Sequence, residues 1–142
     1  MNTNTEAVTY LQLAIELIRQ VRPNAITIAE DMSGMPGICL PIEDGGIGFY
    51  YRLAMELPDM WIKATKTQDE FWDINKMWGD MCLRRPGENS VAYVESHDQA
   101  LVGDKMIFRL ADANMYTDME KSTHNPVIDR AIALEHILNS IA

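Results

Sequence analysis

The chain has 142 residues, of which 47% are hydrophobic and 23% charged, and its formal net charge is −9 at pH 7. These proportions are typical of a globular α/β segment and exclude a disordered chain or one built of membrane-spanning helices. The negative charge repels phosphate backbones and anionic lipid surfaces, so we expect neither a nucleic acid nor a membrane as a partner.

The compartment is predicted from two further features. Residues 1–6 are polar and do not begin a signal peptide, and no apolar run approaches the ~18 residues that a membrane span requires. Cys39 and Cys82 lie far apart in the sequence and lack the spacing of metal ligands, so we expect reduced thiols rather than a disulfide or a nucleophile. A cytoplasmic location follows.

The first predicted elements are a helix and a strand. Thr3 and Glu6 have the spacing of a capping box, and Pro23 ends the helical pattern. Apolar residues recur on one face of this helix at Val8, Leu11, Ile15 and Ile18. The short apolar run 25–29 then predicts a buried strand, which leads into a loop rich in glycine and proline at 34–46.

The rest of the chain repeats this alternation of strand and helix. The predicted elements are a strand at 47–51, a helix at 52–66 broken near Pro58, a helix at 71–85, a turn at 86–89, a strand at Val91, an irregular helical excursion at 104–120 and a helix at 129–141 that includes Ile132, Ile137 and Ile141. This order is typical of consecutive βα units, and it predicts an α/β fold with a parallel sheet.

Two predicted strands end in polar residues that can carry chemistry. The run 25–29 is followed at once by Glu30 and Asp31, and the strand at Val91 leads into His97 and Asp98. In parallel α/β folds, ligands bind at the carboxyl ends of the strands. The two pairs are therefore candidates for a single site.

Several long motifs lie around these residues, in a consistent order. They are 27–36 (TIAEDMSGMP), 48–49 with 52–55 (GF and RLAM), Tyr93 with 95–105 (ESHDQALVGDK), and 126–130 (PVIDR). In these motifs the chain resembles the 1,4-α-glucan branching enzymes of the α-amylase-type glycoside hydrolase family. The resemblance implies a partial (β/α)8 TIM barrel, from about its fourth helix to its seventh, with residues 1–142 forming one fragment and no second domain. A complete barrel needs about 250 residues, so roughly half is expected here.

The resemblance also assigns roles to residues. It implies that Glu30 is the general acid/base, that Asp98 stabilises the transition state, and that His97 and Gln99 bind substrate. Asp31, on the other side of the backbone from Glu30, is expected to hold the loop. The family's nucleophile belongs to an Arg-x-Asp-Gly motif that is absent from these residues and is expected upstream of Met1. No cofactor or metal is implied.

The implied reaction is transfer of α-1,4-glucan segments to a 6-hydroxyl, which forms α-1,6 branches in glycogen or starch. The expected partner is an α-glucan such as glycogen, amylose or amylopectin. Three alternatives remain open: an inactive remnant, an interaction fragment, and an α-amylase-type hydrolase. Half a barrel would also expose strand edges through which the chain could associate with itself.

Other residues are given structural roles. Trp61, Trp72 and Trp78 are predicted to pack in the core rather than to stack on sugars. His124 and His136 are expected to face solvent. Whether Arg52 pairs with a carboxylate at the mouth of the barrel is left open. Tyr50 stands where many relatives have an acidic residue.

Overall fold

The computed structural model describes residues 3–83, 85–101, 105–110 and 126–142. The helices are α1 (Thr5–Val21), α2 (Glu56–Thr65), α3 (Ile74–Cys82), α4 (His97–Leu101), α5 (Met106–Leu110) and α6 (Pro126–Ile141). The strands are β1 (Ile28–Ala29), β2 (Tyr51–Leu53) and β3 (Ser90–Val91). Two short 3-10 turns lie at Ile42–Asp44 and Asp69–Phe71.

The three strands form one parallel sheet in the order β1-β2-β3. Ile28 pairs with Tyr51, and Leu53 pairs with Val91. The predicted α/β class with a parallel sheet is therefore confirmed, while the partial barrel stays a prediction.

The predicted strand at 47–51 is wrong, because the central strand begins only at Tyr51. The amide of Ile47 donates to the carbonyl of Gly37, and the amides of Gly48 and Phe49 donate to that of Ile38. The loop after β1 thus occupies the backbone groups that a strand at this position would use. The first strand is also shorter than predicted, since only Ile28 and Ala29 pair in the sheet.

The predicted break at Pro58 is also wrong. Pro58 lies in the first turn of α2, where the backbone N–H groups have no partner within the helix, so proline is tolerated there. Helix α1 is capped by Asn4 rather than Thr3, and its side chain accepts a hydrogen bond from the amide of Ala7. Helix α3 begins only at Ile74, after the cap residue Asp73.

The remaining predicted elements are found with shifted bounds. Helix α6 begins at Pro126, three residues before the predicted start. Part of the predicted excursion at 104–120 is observed as α5, and positions 111–120 lie outside the described residues. The turn at 86–89 is present, and Gly87 adopts a φ of +76° that favours glycine.

Contacts divide the chain into two compact units. Unit 1 comprises Met1–Met55 and Arg84–Val91, and unit 2 comprises Glu56–Leu83 and Ala92–Ala142. The core of unit 1 contains Ala29, Ile38 and Ile47, against which α1 and the loop pack partly buried apolar side chains. The buried apolar residues of unit 2 include Leu57, Trp61, Val94, Met106, Ala131 and Leu138.

The tryptophans differ from one another in burial. Trp61 is only 2% exposed, as predicted for a core residue, and Trp72 is partly buried. Trp78 is 64% exposed, so its predicted core position is wrong. Helix α3, which carries Trp78, has no buried residue and leaves this face to solvent.

The last helix also presents apolar residues to solvent. Ile132, Ile137 and Ile141 are exposed, and α6 buries Ala131 and Leu138 instead. His136 on this helix is exposed, as predicted, and His124 lies outside the described residues. None of the helices that the structure describes is both long and apolar enough to cross a bilayer.

Candidate functional site

Glu30 directly follows β1, at the carboxyl end of the parallel sheet. Its side chain is exposed and lines a cavity of about 640 Å³ in unit 1. The first turns of α1, the end of β1 and the loop after it form the walls, with contributions from Val8, Leu11, Ala29, Ser33, Met35 and Phe49. A cavity of this size falls within the range of small-ligand sites.

Asp31 anchors the loop that follows β1, as predicted. Its Oδ1 accepts hydrogen bonds from the amide of Ser33 at 3.2 Å and from the Ser33 hydroxyl at 2.7 Å. Its Oδ2 lies 3.4 Å from the Arg52 guanidinium. Burial raises the pKa of the Asp31 carboxyl, but the Ser33 hydrogen bonds, the Arg52 charge and the amide of Met35 together outweigh it, so the net pKa is lowered.

Arg52 joins this loop to a second, more deeply buried carboxylate. The Arg52 side chain is 12% exposed and that of Glu88 is 4% exposed, and Nη1 of Arg52 lies 3.6 Å from Oε2 of Glu88. The same Nη1 donates to the carbonyl of Met35 at 3.1 Å. Arg52, whose pairing the sequence left open, therefore pairs with two carboxylates, Asp31 and Glu88.

Glu88 was not identified from the sequence, where it was only part of the turn at 86–89. Its two carboxylate oxygens accept hydrogen bonds from the amides of Gly37 and Cys39, each at 3.2 Å. Arg85 lies 3.9 Å from Oε1. The one available signal was a lone acidic residue within a Pro-Gly turn, which usually indicates a solvated loop.

The thiol of Cys39 is kept neutral by its surroundings. Its Sγ donates to the carbonyl of Asn89 at 3.6 Å. Burial raises the pKa of the Cys39 thiol, and the charge of Glu88 raises it further, while Arg52 lowers it by less. This environment disfavours the thiolate that a nucleophile would need, in agreement with the prediction for Cys39.

The His-Asp pair begins α4 in unit 2. Nε2 of His97 lies 3.4 Å from Oδ1 of Asp98, and both side chains are substantially exposed. The amide of Asp98 donates to the hydroxyl of Ser96 at 3.3 Å. Both residues lie in the first turn of a short helix.

Gln99 has a structural role that the sequence analysis did not assign. Its Oε1 accepts hydrogen bonds from the amide of Ser96 at 2.8 Å and from the Ser96 hydroxyl at 2.9 Å. Ser96 and Gln99 thus form a capping box, which fixes the start of α4 and with it the backbone of His97 and Asp98. A substrate contact by Gln99 would use its Nε2 atom.

A second carboxyl with a shifted pKa lies on α6. Burial raises the pKa of Glu135, and the nearby charge of Glu95 raises it further, against smaller opposing effects of His136, Lys105 and Arg109. Glu95 also accepts a hydrogen bond from the amide of Met106, at the start of α5. These contacts connect the segment before His97 to α5 and α6 within unit 2.

The predicted site residues are divided between the units. Glu30 belongs to unit 1, whereas His97, Asp98 and Gln99 belong to unit 2. Their assignment to one catalytic site stays a prediction.

Comparison with known proteins finds relatives that share one name. No protein-family model matches the chain. It is 52% identical to the 1,4-alpha-glucan-branching enzyme of Rhizophagus irregularis over 134 residues, which is 92% of this chain and 20% of that protein. It is 49% identical to the enzyme of the same name from Yarrowia lipolytica (99% of this chain, 22% of that protein) and 55% identical to that of Candida glabrata (96% and 20%).

The predicted resemblance to branching enzymes is confirmed. The chain spans about one fifth of the length of the curated relatives that it matches. Both unit 1 and unit 2 fall within the similarity to branching enzymes, because it covers 92–99% of the chain.

We expect Glu88→Gln to lower the free energy of unfolding by about 3 kcal/mol, because removal of one partner leaves the buried Arg52 charge with Asp31 as its remaining compensation. The free energy of unfolding can be measured by urea denaturation with far-UV circular dichroism. Glu43→Gln, in the exposed 3-10 turn of the same unit, is the control and should change stability by less than about 0.5 kcal/mol. Equal losses from both variants would contradict a structural role for the buried pair.

The contribution of Asp31 should depend on pH. Because the pKa of Asp31 is lowered in the folded state, its charged form stabilises the fold above the unfolded pKa of about 3.9, and this stabilisation is lost as the pH falls through the lower folded pKa. Asp31→Asn should therefore cost about 1 kcal/mol near pH 7 and almost nothing at a pH below the lowered folded-state pKa. A difference between the two proteins that is the same at both pH values would refute this linkage.

Proposed function

We propose that the chain is the part of a branching enzyme that supplies the general acid/base and the transition-state stabiliser for transfer of α-1,4-glucan segments to a 6-hydroxyl. The observation that carries this proposal is about 50% identity, over nearly the whole chain, to proteins named 1,4-alpha-glucan-branching enzyme. We also propose that the parallel strands β1, β2 and β3 are consecutive strands of a partial (β/α)8 barrel, for which their order β1-β2-β3 gives support.

Glu30 would first protonate the glycosidic oxygen of the leaving group and later accept the proton of the acceptor 6-hydroxyl. Its position directly after β1, beside a cavity of about 640 Å³, supports this role because a sugar could approach the carboxyl there. Asp31 engages Ser33 and Arg52, and these contacts support its proposed role in holding the loop.

Asp98 would stabilise the positive charge that develops on the sugar ring, and His97 would donate a hydrogen bond to a neighbouring hydroxyl. The capping box of Ser96 and Gln99 supports these roles, because it fixes the backbone from which both side chains project. Gln99 would therefore position His97 and Asp98 in addition to contacting substrate. No Arg-x-Asp-Gly motif occurs in the 142 residues, so the nucleophile would come from outside them.

The partner that we propose is an α-glucan, such as glycogen, amylose or amylopectin. A net charge of −9 does not repel this neutral polymer. We propose the cytoplasm as the compartment, because Cys39 and Cys82 are both free thiols and reducing compartments keep thiols in that state.

A chimera tests the catalytic roles. The matching segment of the Rhizophagus irregularis relative would be replaced by this chain, and branching of amylose would be followed by the iodine spectrum and by debranching of the product. We expect the chimera to branch amylose, with Glu30→Gln lowering the rate about a thousandfold and Asp98→Asn about a hundredfold. The 142-residue chain alone should show no activity.

Glu43→Gln is the matched control for this assay, since Glu43 is an exposed carboxylate of unit 1 outside the proposed site. It should leave the rate of the chimera within about twofold. A folded Glu30→Gln chimera as active as the Glu43→Gln chimera would overturn the assignment. Release of shorter linear chains without new branches would favour the hydrolase.

We further propose that the isolated chain associates with itself through the edge of β1. This strand pairs with β2, and among the described strands no other lies beside it. Ile28 on this strand and Ile26 just before it are exposed, and an exposed apolar edge is a template for pairing with another chain.

Sedimentation velocity should therefore show species larger than the 16.1 kDa monomer as concentration rises. Ile28→Lys places a charge on the edge strand and should shift the distribution toward monomer, whereas Ile132→Lys, at an exposed position of α6, should not. A monomer at every concentration tested would rule out this association.

A further inference from the structure

A second cleft lies within residues 56–83 of unit 2, none of which has been given a role in catalysis. It has a volume of about 510 Å³ and is formed by α2, the 3-10 turn at Asp69–Phe71 and α3. This volume is within the range of about 300–1,000 Å³ that is typical of ligand sites.

The apolar wall of the cleft is held rigidly. Trp72 lines it, and its Nε1 donates hydrogen bonds to the carbonyl of Ala64 at 2.8 Å and to that of Thr67 at 3.2 Å. These bonds fix the indole plane against the end of α2. A ligand that stacks on the ring would therefore bind with little loss of side-chain entropy at Trp72.

Phe71 stands beside Trp72 on the same wall and is 73% exposed. A phenylalanine ring buries a large apolar area when it is covered, so exposure to this degree at the wall of a cleft favours contact with a ligand. Met60 and Met77 add flexible apolar side chains that can adapt to the surface of such a ligand.

The rim of the cleft carries charges of both signs. Asp73 caps α3 by accepting from the amide of Lys76 at 2.9 Å, and Nζ of Lys76 lies 2.5 Å from Oδ2 of Asp80. Lys63, Glu56 and Asp59, all on α2, also line the cleft. Because its charges are mixed, the rim gives no strong preference for an ion of either sign, but it offers many donors and acceptors for hydroxyl groups.

We propose that this cleft is an accessory binding site for an α-glucan chain. A glucose ring combines an apolar face, which can stack on Phe71 and Trp72, with a ring of hydroxyls that can hydrogen-bond to the rim. The choice of an α-linked glucose polymer rests on the proposed function. A second attachment point would raise the local concentration of the polymer on the enzyme.

Binding of maltoheptaose to the 142-residue chain, measured by isothermal titration calorimetry, tests this site. We expect Phe71→Ala to weaken binding about tenfold, and Asp59→Asn to weaken it about threefold. Trp78→Ala is the matched control, since Trp78 is an exposed aromatic residue of α3 that does not line the cleft, and it should leave the Kd unchanged.

Phe71 is largely exposed, so Phe71→Ala should keep the circular dichroism spectrum of the parent chain, and Asp59→Asn provides an independent test. Equal effects of Phe71→Ala and Trp78→Ala, or no binding of maltoheptaose, would overturn the proposal. The branching activity of the chimera is a separate measurement, so failure of this cleft leaves the catalytic assignment to its own test.

Discussion

The buried ion pair of Arg52 and Glu88 is the interaction on which unit 1 depends. Glu88 is almost completely removed from water, and a buried carboxylate is tolerated only when opposite charge and hydrogen bonds compensate it fully. Arg52 provides the charge from β2, and the amides of Gly37 and Cys39 provide hydrogen bonds from the loop after β1. One carboxylate therefore joins the turn before β3 to β2 and to the loop after β1.

This arrangement explains how a short sheet can hold a long loop in place. The strands contribute only two or three residues each, too few to fix a loop by ladder hydrogen bonds alone. Arg52 also binds Asp31 and the carbonyl of Met35, two further points of the loop after β1. Because Asp31 is fixed in this way, the backbone of its neighbour Glu30 is held as well, as the role that we propose for Glu30 requires.

The sequence was sufficient for the order of the three strands and of α1, α2, α3, α5 and α6, whereas α4 was not predicted. Parallel strands, α1 and α6 follow from apolar runs and helical periodicity, which are local signals. Glu88 could not be found in this way, since its partners Gly37 and Cys39 lie 51 and 49 positions away. The apolar run at Ile47 was misassigned as a strand for a related reason, because its amides pair with a loop that only the fold brings near.

The neutral thiol of Cys39 gives unit 1 a natural reporter of its own motions. Its partly buried position and raised pKa suppress reaction with alkylating reagents as long as the loop stays bound to Glu88. Cys82 on α3 is exposed and has no such protection. The rate at which Cys39 alone becomes labelled, once Cys82 has been modified, therefore measures how often the loop that carries Glu30 opens in the folded protein.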